Sequence, residues 1–187
     1  MEIKPSIRYA KDMQDVLLSK ECNENEELYY MFRGVDGKAN LRYDITEIPA
    51  KTIGNEFVKT KGHYHDDFQE IYIVLEGEAF FLMQKGKDNI EDAYFVHAKK
   101  GDIVLIPFEY GHITINPSKT NLKMANWVSN DCGHDYDSIA KKSGAAYFYT
   151  KEGWIKNNNY NNIPEIREEK PLSSMPENIE EVCKKRI

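Results

Sequence analysis

Between residues 27 and 155 a turn signal recurs about every ten residues, and the runs between the turns are short and rich in Tyr, Phe, Val and Ile. Such runs suit half-buried extended chain rather than helix. The spacing predicts strands over 27–32, 40–48, 70–75, 79–84, 92–98, 102–107, 112–116 and 122–128, with a further strand carrying residues 63–65. Asp36-Gly37 has the chemistry of a two-residue hairpin turn between the first two runs. No helical period alternates with the strands, which argues against a parallel sheet. The series predicts an all-β sandwich or barrel with short peripheral helices.

The two ends read differently. Residues 1–26 are predicted to form an N-terminal arm, in which 9–18 reads as a short amphipathic helix or as extended arm, ending near an acidic run at 21–27. Residues 27–155 form the folded domain. Within it, 133–142 reads as a loop entering one or two helical turns, and 145–150 pairs in a hairpin with 154–155. Residues 156–187, Asn-rich and then charged with three prolines, read as a C-terminal surface tail with a short helix near 177–185.

A length of 187 residues is enough for one domain with a substantial core. The net charge of −6 with no basic run argues against nucleic acid as a partner, so an anionic substrate must be held by local donors. Cys22, Cys132 and Cys183 show no disulfide or metal spacing and read as reduced thiols of a cytoplasmic protein, Cys132 as a small filler. No signal-peptide core and no apolar run of membrane-spanning length is present.

The chemistry concentrates in Thr60-Lys-Gly-His63-Tyr-His65-Asp-Asp-Phe-Gln-Glu70-Ile-Tyr72. On a strand His63 and His65 share a face. A polar turn over 66–69 then brings Glu70 to the start of a second strand. Two imidazoles and a carboxylate converge as a first-row metal site needing one more ligand. His112, opening a later apolar strand, is the candidate. The bland alternative is a buried, metal-free polar network. Asp66-Asp67 reads as a solvated turn and His97 as a surface residue of its strand.

His-x-His, Glu70 and Gly77 resemble the first motif of the cupin superfamily, and Gly101, Pro107, His112 and Asn116 resemble the second. Two positions depart from it, Phe57 and Glu109, each where the motif carries Gly. The resemblance implies a cupin double-stranded β-helix, or jelly-roll barrel. It also implies one divalent transition metal per chain, held by His63, His65, Glu70 and His112; Fe, Mn, Ni, Co and Zn all suit that set, with iron among them.

A narrower resemblance rests on Thr60 to His65, on Glu70-Ile-Tyr72, and above all on Gly133-His134-Asp135-Tyr136 with Ile139-Ala140. These blocks are similar to cupin-type glucose-6-phosphate isomerases. The resemblance implies aldose–ketose isomerisation of glucose 6-phosphate and fructose 6-phosphate in glycolysis and gluconeogenesis, by a homodimer with its N-terminal strand or arm exchanged. It implies Glu70 as the proton-shuttling base, with Tyr136, His134 or water as alternatives and a hydride shift as a rival route. It implies a phosphate held by Thr46, Thr60, the Gly62 N–H and Tyr136, with Tyr29 and His134 nearby. Tyr72 is as readily barrel core as substrate contact. Strict alternation from His63 turns Lys61 and Lys59 toward the site and Thr60 away, so Thr60 joins only if Gly62 forms a bulge; otherwise Lys61 takes the phosphate. Two other functions fit the same ligands: a cupin dioxygenase, and a cupin that binds sugar without turnover.

Overall fold

The computed structural model describes residues 3–20 and 22–186; residue 21 of the expected acidic run and the extreme termini lie outside the described residues. A six-stranded sheet has the order β1-β2-β3-β12-β7-β10. Its members are β1 (Ser6–Tyr9), β2 (Glu27–Lys38), β3 (Leu41–Ile48), β12 (Leu122–Ser129), β7 (Glu70–Glu76) and β10 (Ile103–Ile106). A five-stranded sheet runs β15-β9-β8-β11-β6. It is made of β15 (Arg167–Glu169), β9 (Asp92–Lys99), β8 (Glu78–Lys85), β11 (Tyr110–Ile115) and β6 (His63–Tyr64). A small third sheet joins β14 (Gly153–Lys156), β13 (Tyr147–Thr150), β5 (Glu56–Phe57) and β4 (Thr52–Ile53). Every pairing between these named strands is antiparallel except β15 on β9. This is the all-β jelly roll that the turn spacing predicts, with α1 (Asp137–Ala140) and α2 (Ile179–Val182) at its periphery.

The two large sheets face each other across one core. Val74, Ile106 and Met124 come from the first; Phe81, Met83, Val96 and Ile113 come from the second. The second motif ends on Asn116, which is buried and donates to the carbonyls of Ile48 and Thr120, closing the loop between β11 and β12. Glu109, where the motif has Gly, sits at φ +69°, which explains the motif's preference.

Two expectations are corrected. The first hairpin turns at Ala39-Asn40, and Asp36-Gly37 pairs inside the strand with Tyr43 and Arg42. The cause is a register break between Phe32 and Asp36, fixed by Asp44, whose carboxylate accepts from the Gly34 N–H. The helix expected over 9–18 is instead β1 followed by a single 3-10 turn, Ala10–Met13. Ala10, Met13, Val16 and Leu17 are buried in the main core, so this segment is packed in rather than projecting. At the other end, Asn157 and Tyr160 are buried. α2 brings Cys183, Ile179 and Val182 onto Ile71, Trp127 and Leu41. The tail is bound to the barrel, and its helix falls inside the expected range.

Candidate metal centre and substrate pocket

Four side chains converge inside the barrel. His63 lies on β6, His65 just beyond it, Glu70 opens β7, and His112 lies on β11 directly opposite His63 in the ladder. The Nε2 atoms of His63 and His65 are 2.7 Å apart, and each is 3.1 Å from Nε2 of His112. Glu70 Oε2 is 3.2 Å from His65 Nε2 and 3.4 Å from His112 Nε2. Adjacent donors about 2.0–2.1 Å from a shared ion stand about 2.9–3.4 Å apart. The His65–His112, His63–His112 and two Glu70 separations fall in that range, the His63–His65 pair is closer, and all four donors lie within 4.8 Å of one another.

The protonation chemistry agrees. Burial drives the His63 imidazole well below its ordinary range, reinforced by the neighbouring histidines. Burial also lowers His112 to about 3, against the opposing pull of Glu70. Burial pushes the Glu70 carboxyl up, but contact with His65 and the field of the other histidines outweigh it and hold it down to about 2. Neutral imidazoles and an ionised carboxylate are the forms that ligate metals.

Glu70 Oε2 is buried and has no hydrogen-bond partner, while Oε1 accepts from Asn126 Nδ2 at 2.5 Å. His65 Nδ1 meets Cys132 Sγ at 2.5 Å, and that thiol reaches the Gly133 carbonyl at 3.4 Å. With the S–H directed to the carbonyl, sulfur accepts the Nδ1–H, which leaves Nε2 of His65 as a lone pair aimed at the centre. An orphaned carboxylate oxygen among converging lone pairs is what a cation satisfies. The residues fit a metal.

Every expected site residue falls in one place. Tyr29, Thr46, Thr60, Gly62, His63, Glu70, Tyr72, His112, His134 and Tyr136 line one cavity, and His65 completes the cluster at its inner end. Gly62 decides the Thr60–Lys61 question. At φ +80° it breaks the strand alternation, and a Cβ there would lie 2.4 Å from Ile113 Cγ1. Thr60 then reaches the cavity, its Oγ1 accepting the Thr114 N–H at 3.0 Å. The Lys61 ammonium turns back to the Asp12 carbonyl at 2.9 Å and Asp15 at 2.7 Å. Lys59 is buried against Glu56.

The Tyr29 hydroxyl oxygen accepts the Lys61 N–H at 3.2 Å and lies in the field of the Arg8 guanidinium, leaving its own proton to donate elsewhere. His134 and Tyr136 come from the loop after β12, with ring centroids 4.7 and 5.0 Å from His63. Burial keeps His134 neutral, at about 4.

Sequence reasoning missed several neighbours. Arg33, Met31, Met124 and Asn126 also line the cavity. Asn126 faces inward on β12 opposite Asp44 and Tyr72, and Arg33 follows Tyr29 and Met31 on the same face of β2. The period-two pattern holds both signals, but only the strand order joins them to the histidines. Cys132, expected as filler, is the His65 partner. His97 pairs with Glu78 on β8, away from the site, as expected for a surface strand residue.

A sequence model of the family described as Glucose-6-phosphate isomerase (GPI) matches residues 8–165. The chain belongs to that family. A glucose-6-phosphate isomerase of Thermococcus litoralis is 30% identical over 162 residues, covering 81% of this chain and 84% of the relative. One of Pyrococcus furiosus is 28% identical over 163 residues, covering 82% and 85%. One of Pyrococcus horikoshii is 27% identical with the same coverage, 82% and 85%. The match takes in the end of the N-terminal strand, the barrel from β2 to β14 and the Gly-His-Asp-Tyr loop, and it ends before β15 and α2. Among the described residues no helix is long and apolar enough to cross a membrane.

Proposed function

We propose that this chain interconverts glucose 6-phosphate and fructose 6-phosphate, using one divalent transition metal held by His63, His65, Glu70 and His112. The observation that carries the proposal is the single cavity in which that cluster meets Thr46, Thr60, Gly62 and Tyr136, in a chain of the isomerase family. A bound cation supplies Lewis acidity toward the substrate's carbonyl and adjacent hydroxyl oxygens.

The protein's own groups do the rest. Glu70, fixed at Oε1 by Asn126, presents Oε2 for the proton that moves between C2 and C1. A carboxylate shared with a cation is a weaker base than a free one. His134, neutral beside His63, and Tyr136 are therefore the second proton carriers. Tyr72, on the face of Glu70, is buried, with its phenol pushed well above its usual range by burial and the Glu70 charge. It stays protonated and donates hydrogen bonds. The Thr46 and Thr60 hydroxyls, the Gly62 N–H, Tyr29 and Tyr136 offer neutral donors to the phosphate at the other end of the cavity.

Iron is among the cations this donor set accepts, since imidazole and carboxylate suit several of the series. The cytoplasm is the proposed compartment, supported by three free thiols: Cys22, Cys132 and Cys183. A homodimer is proposed from the family resemblance; within this chain β1 pairs with β2 at the edge of the large sheet.

The test is to incubate the purified protein with fructose 6-phosphate and follow glucose 6-phosphate by proton NMR while monitoring dioxygen. Conversion without dioxygen uptake is expected. Dioxygen uptake with an organic acid would make it an oxygenase, and binding without turnover would make it a sugar-binding cupin.

A further inference from the structure

A phosphate monoester carries roughly −1.5 to −2 charges at neutral pH, and this chain has a net charge of −6 with a carboxylate, Glu70, in the cavity itself. Hydroxyls and backbone N–H groups supply hydrogen bonds but no net charge. Two cationic side chains line the cavity, Lys61 and Arg33. The Lys61 ammonium is already engaged by Asp15 and the Asp12 carbonyl.

Arg33 stands differently. Its Nη1 donates to Asp44 Oδ2 at 2.8 Å, and among the described residues its Nη2 has only the weak acceptor Met31 Sδ at 3.5 Å. Asp44 is 1% exposed, and it also holds the Gly34 N–H at 2.8 Å and Arg42 Nε at 2.9 Å. Two guanidinium ions on one carboxylate leave a net positive charge beside the cavity that Arg33 lines. The Arg33 side chain is 44% exposed against 2% for that of Asp44. A pair so exposed on one side adds little to stability. Arg33 and Asp44 flank the register break that displaced the first hairpin turn, so the irregularity of β2 and the orientation of the guanidinium share one cause. Arg33 lines the same cavity as Thr46, Thr60 and Tyr136, the groups assigned to the phosphate.

Resting on the isomerase reading, we propose that Arg33 is the specificity-determining cation of this pocket: its guanidinium takes the oxygens of the substrate's phosphate monoester, with Asp44 as its positioning residue. A planar fork suits paired phosphate oxygens better than an ammonium does. The pocket then selects phosphorylated sugars by charge, and the neutral donors set the register of the phosphate.

The experiment compares wild type, Arg33→Lys and Arg33→Met, each as purified with its metal, for turnover of fructose 6-phosphate and for calorimetric binding of fructose 6-phosphate, fructose and inorganic phosphate. In Arg33→Met, KM for fructose 6-phosphate and the dissociation constant of inorganic phosphate are expected to rise about 10- to 100-fold, as loss of a charged hydrogen-bonding pair implies. Fructose binding, metal content and Tm stay within error, and kcat falls less than KM rises. Arg33→Lys recovers part of the affinity. Unchanged KM and phosphate affinity in Arg33→Met would overturn the proposal while leaving the isomerase intact, as would equal losses for fructose and fructose 6-phosphate. Wild-type protein that neither converts nor binds fructose 6-phosphate would remove the isomerase reading, and this proposal with it.

Discussion

The thiol of Cys132 lies 2.5 Å from Nδ1 of His65, on the side of the ring opposite Nε2, which faces His63 and His112. Ligating histidines are usually held from behind by a carboxylate, carbonyl or water; here sulfur does it. Burial, then the Glu70 charge, push the Cys132 thiol up to about 12, so it stays a thiol at neutral pH. Cys132→Ala removes the acceptor and frees the ring to turn. Affinity for added Zn²⁺ should fall about 10- to 100-fold, read by competition with a chromophoric chelator, and Cys132→Ser should retain most of it. Equal affinity in all three proteins would show that His65 is held by packing alone.

Gly62 is the backbone hinge between the two ends of the site. Gly62→Ala meets a left-handed backbone and a Cβ 2.4 Å from Ile113. Strain and overpacking together should cost about 2–4 kcal/mol, read as a lower urea midpoint. A variant as stable as wild type, with unchanged KM, would mean that the segment relaxes freely.

The C-terminal segment covers the outer face of the large sheet. Cys183 is fully buried there, with Met175, Ile179 and Val182 against Ile71, Trp127 and Leu105. The Arg186 N–H also ties down the Asp67 carbonyl, next to the loop that follows His65. Truncation after Glu169 should therefore remove about 2–3 kcal/mol and lower Tm by roughly 5–10 °C. An unchanged Tm would show that these contacts are dispensable.

Acid should destabilise the metal-free protein. His112 at about 3, His134 at about 4 and Glu70 at about 2 all titrate below their ordinary values in the fold. The unfolded chain therefore binds more protons than the native one throughout the intervening range, and stability rises with pH there. The histidine contribution is complete above about pH 6.5 and is lost on going down from it; the Glu70 contribution is lost below about pH 4.5. A buried group such as His112 gives a slope of about 1.4 kcal/mol per pH unit. Urea midpoints of chelator-treated protein should fall steadily from pH 7 to 5, and a flat profile would mean that these imidazoles titrate normally.

Most of the fold was legible because alternation and turn chemistry are local. Strands such as β8 and β12 fall within a residue or two of where their runs of Phe, Leu, Met and Val place them. The first hairpin was not legible, because the long-range capture of the Gly34 N–H by Asp44 overrides the local Asp36-Gly37 signal. The convergence of His63, His65, Glu70 and His112 followed from spacing. Their support did not: Cys132 and Asn126 face the site from a distant strand and its following loop, and nothing adjacent to them in the chain says so. For Thr60 the sequence left two options, which the positive φ of Gly62 decides.

The most direct measurement is conversion of fructose 6-phosphate to glucose 6-phosphate by the purified protein, by the chelator-stripped protein, and after addition of Fe²⁺, Mn²⁺ or Zn²⁺, with His65→Ala alongside. The account predicts activity that disappears with the metal and returns with at least one of these ions at one equivalent per chain, and a His65→Ala protein that binds less metal and does not recover. Activity indifferent to stripping, or full metal content and activity in His65→Ala, would contradict it.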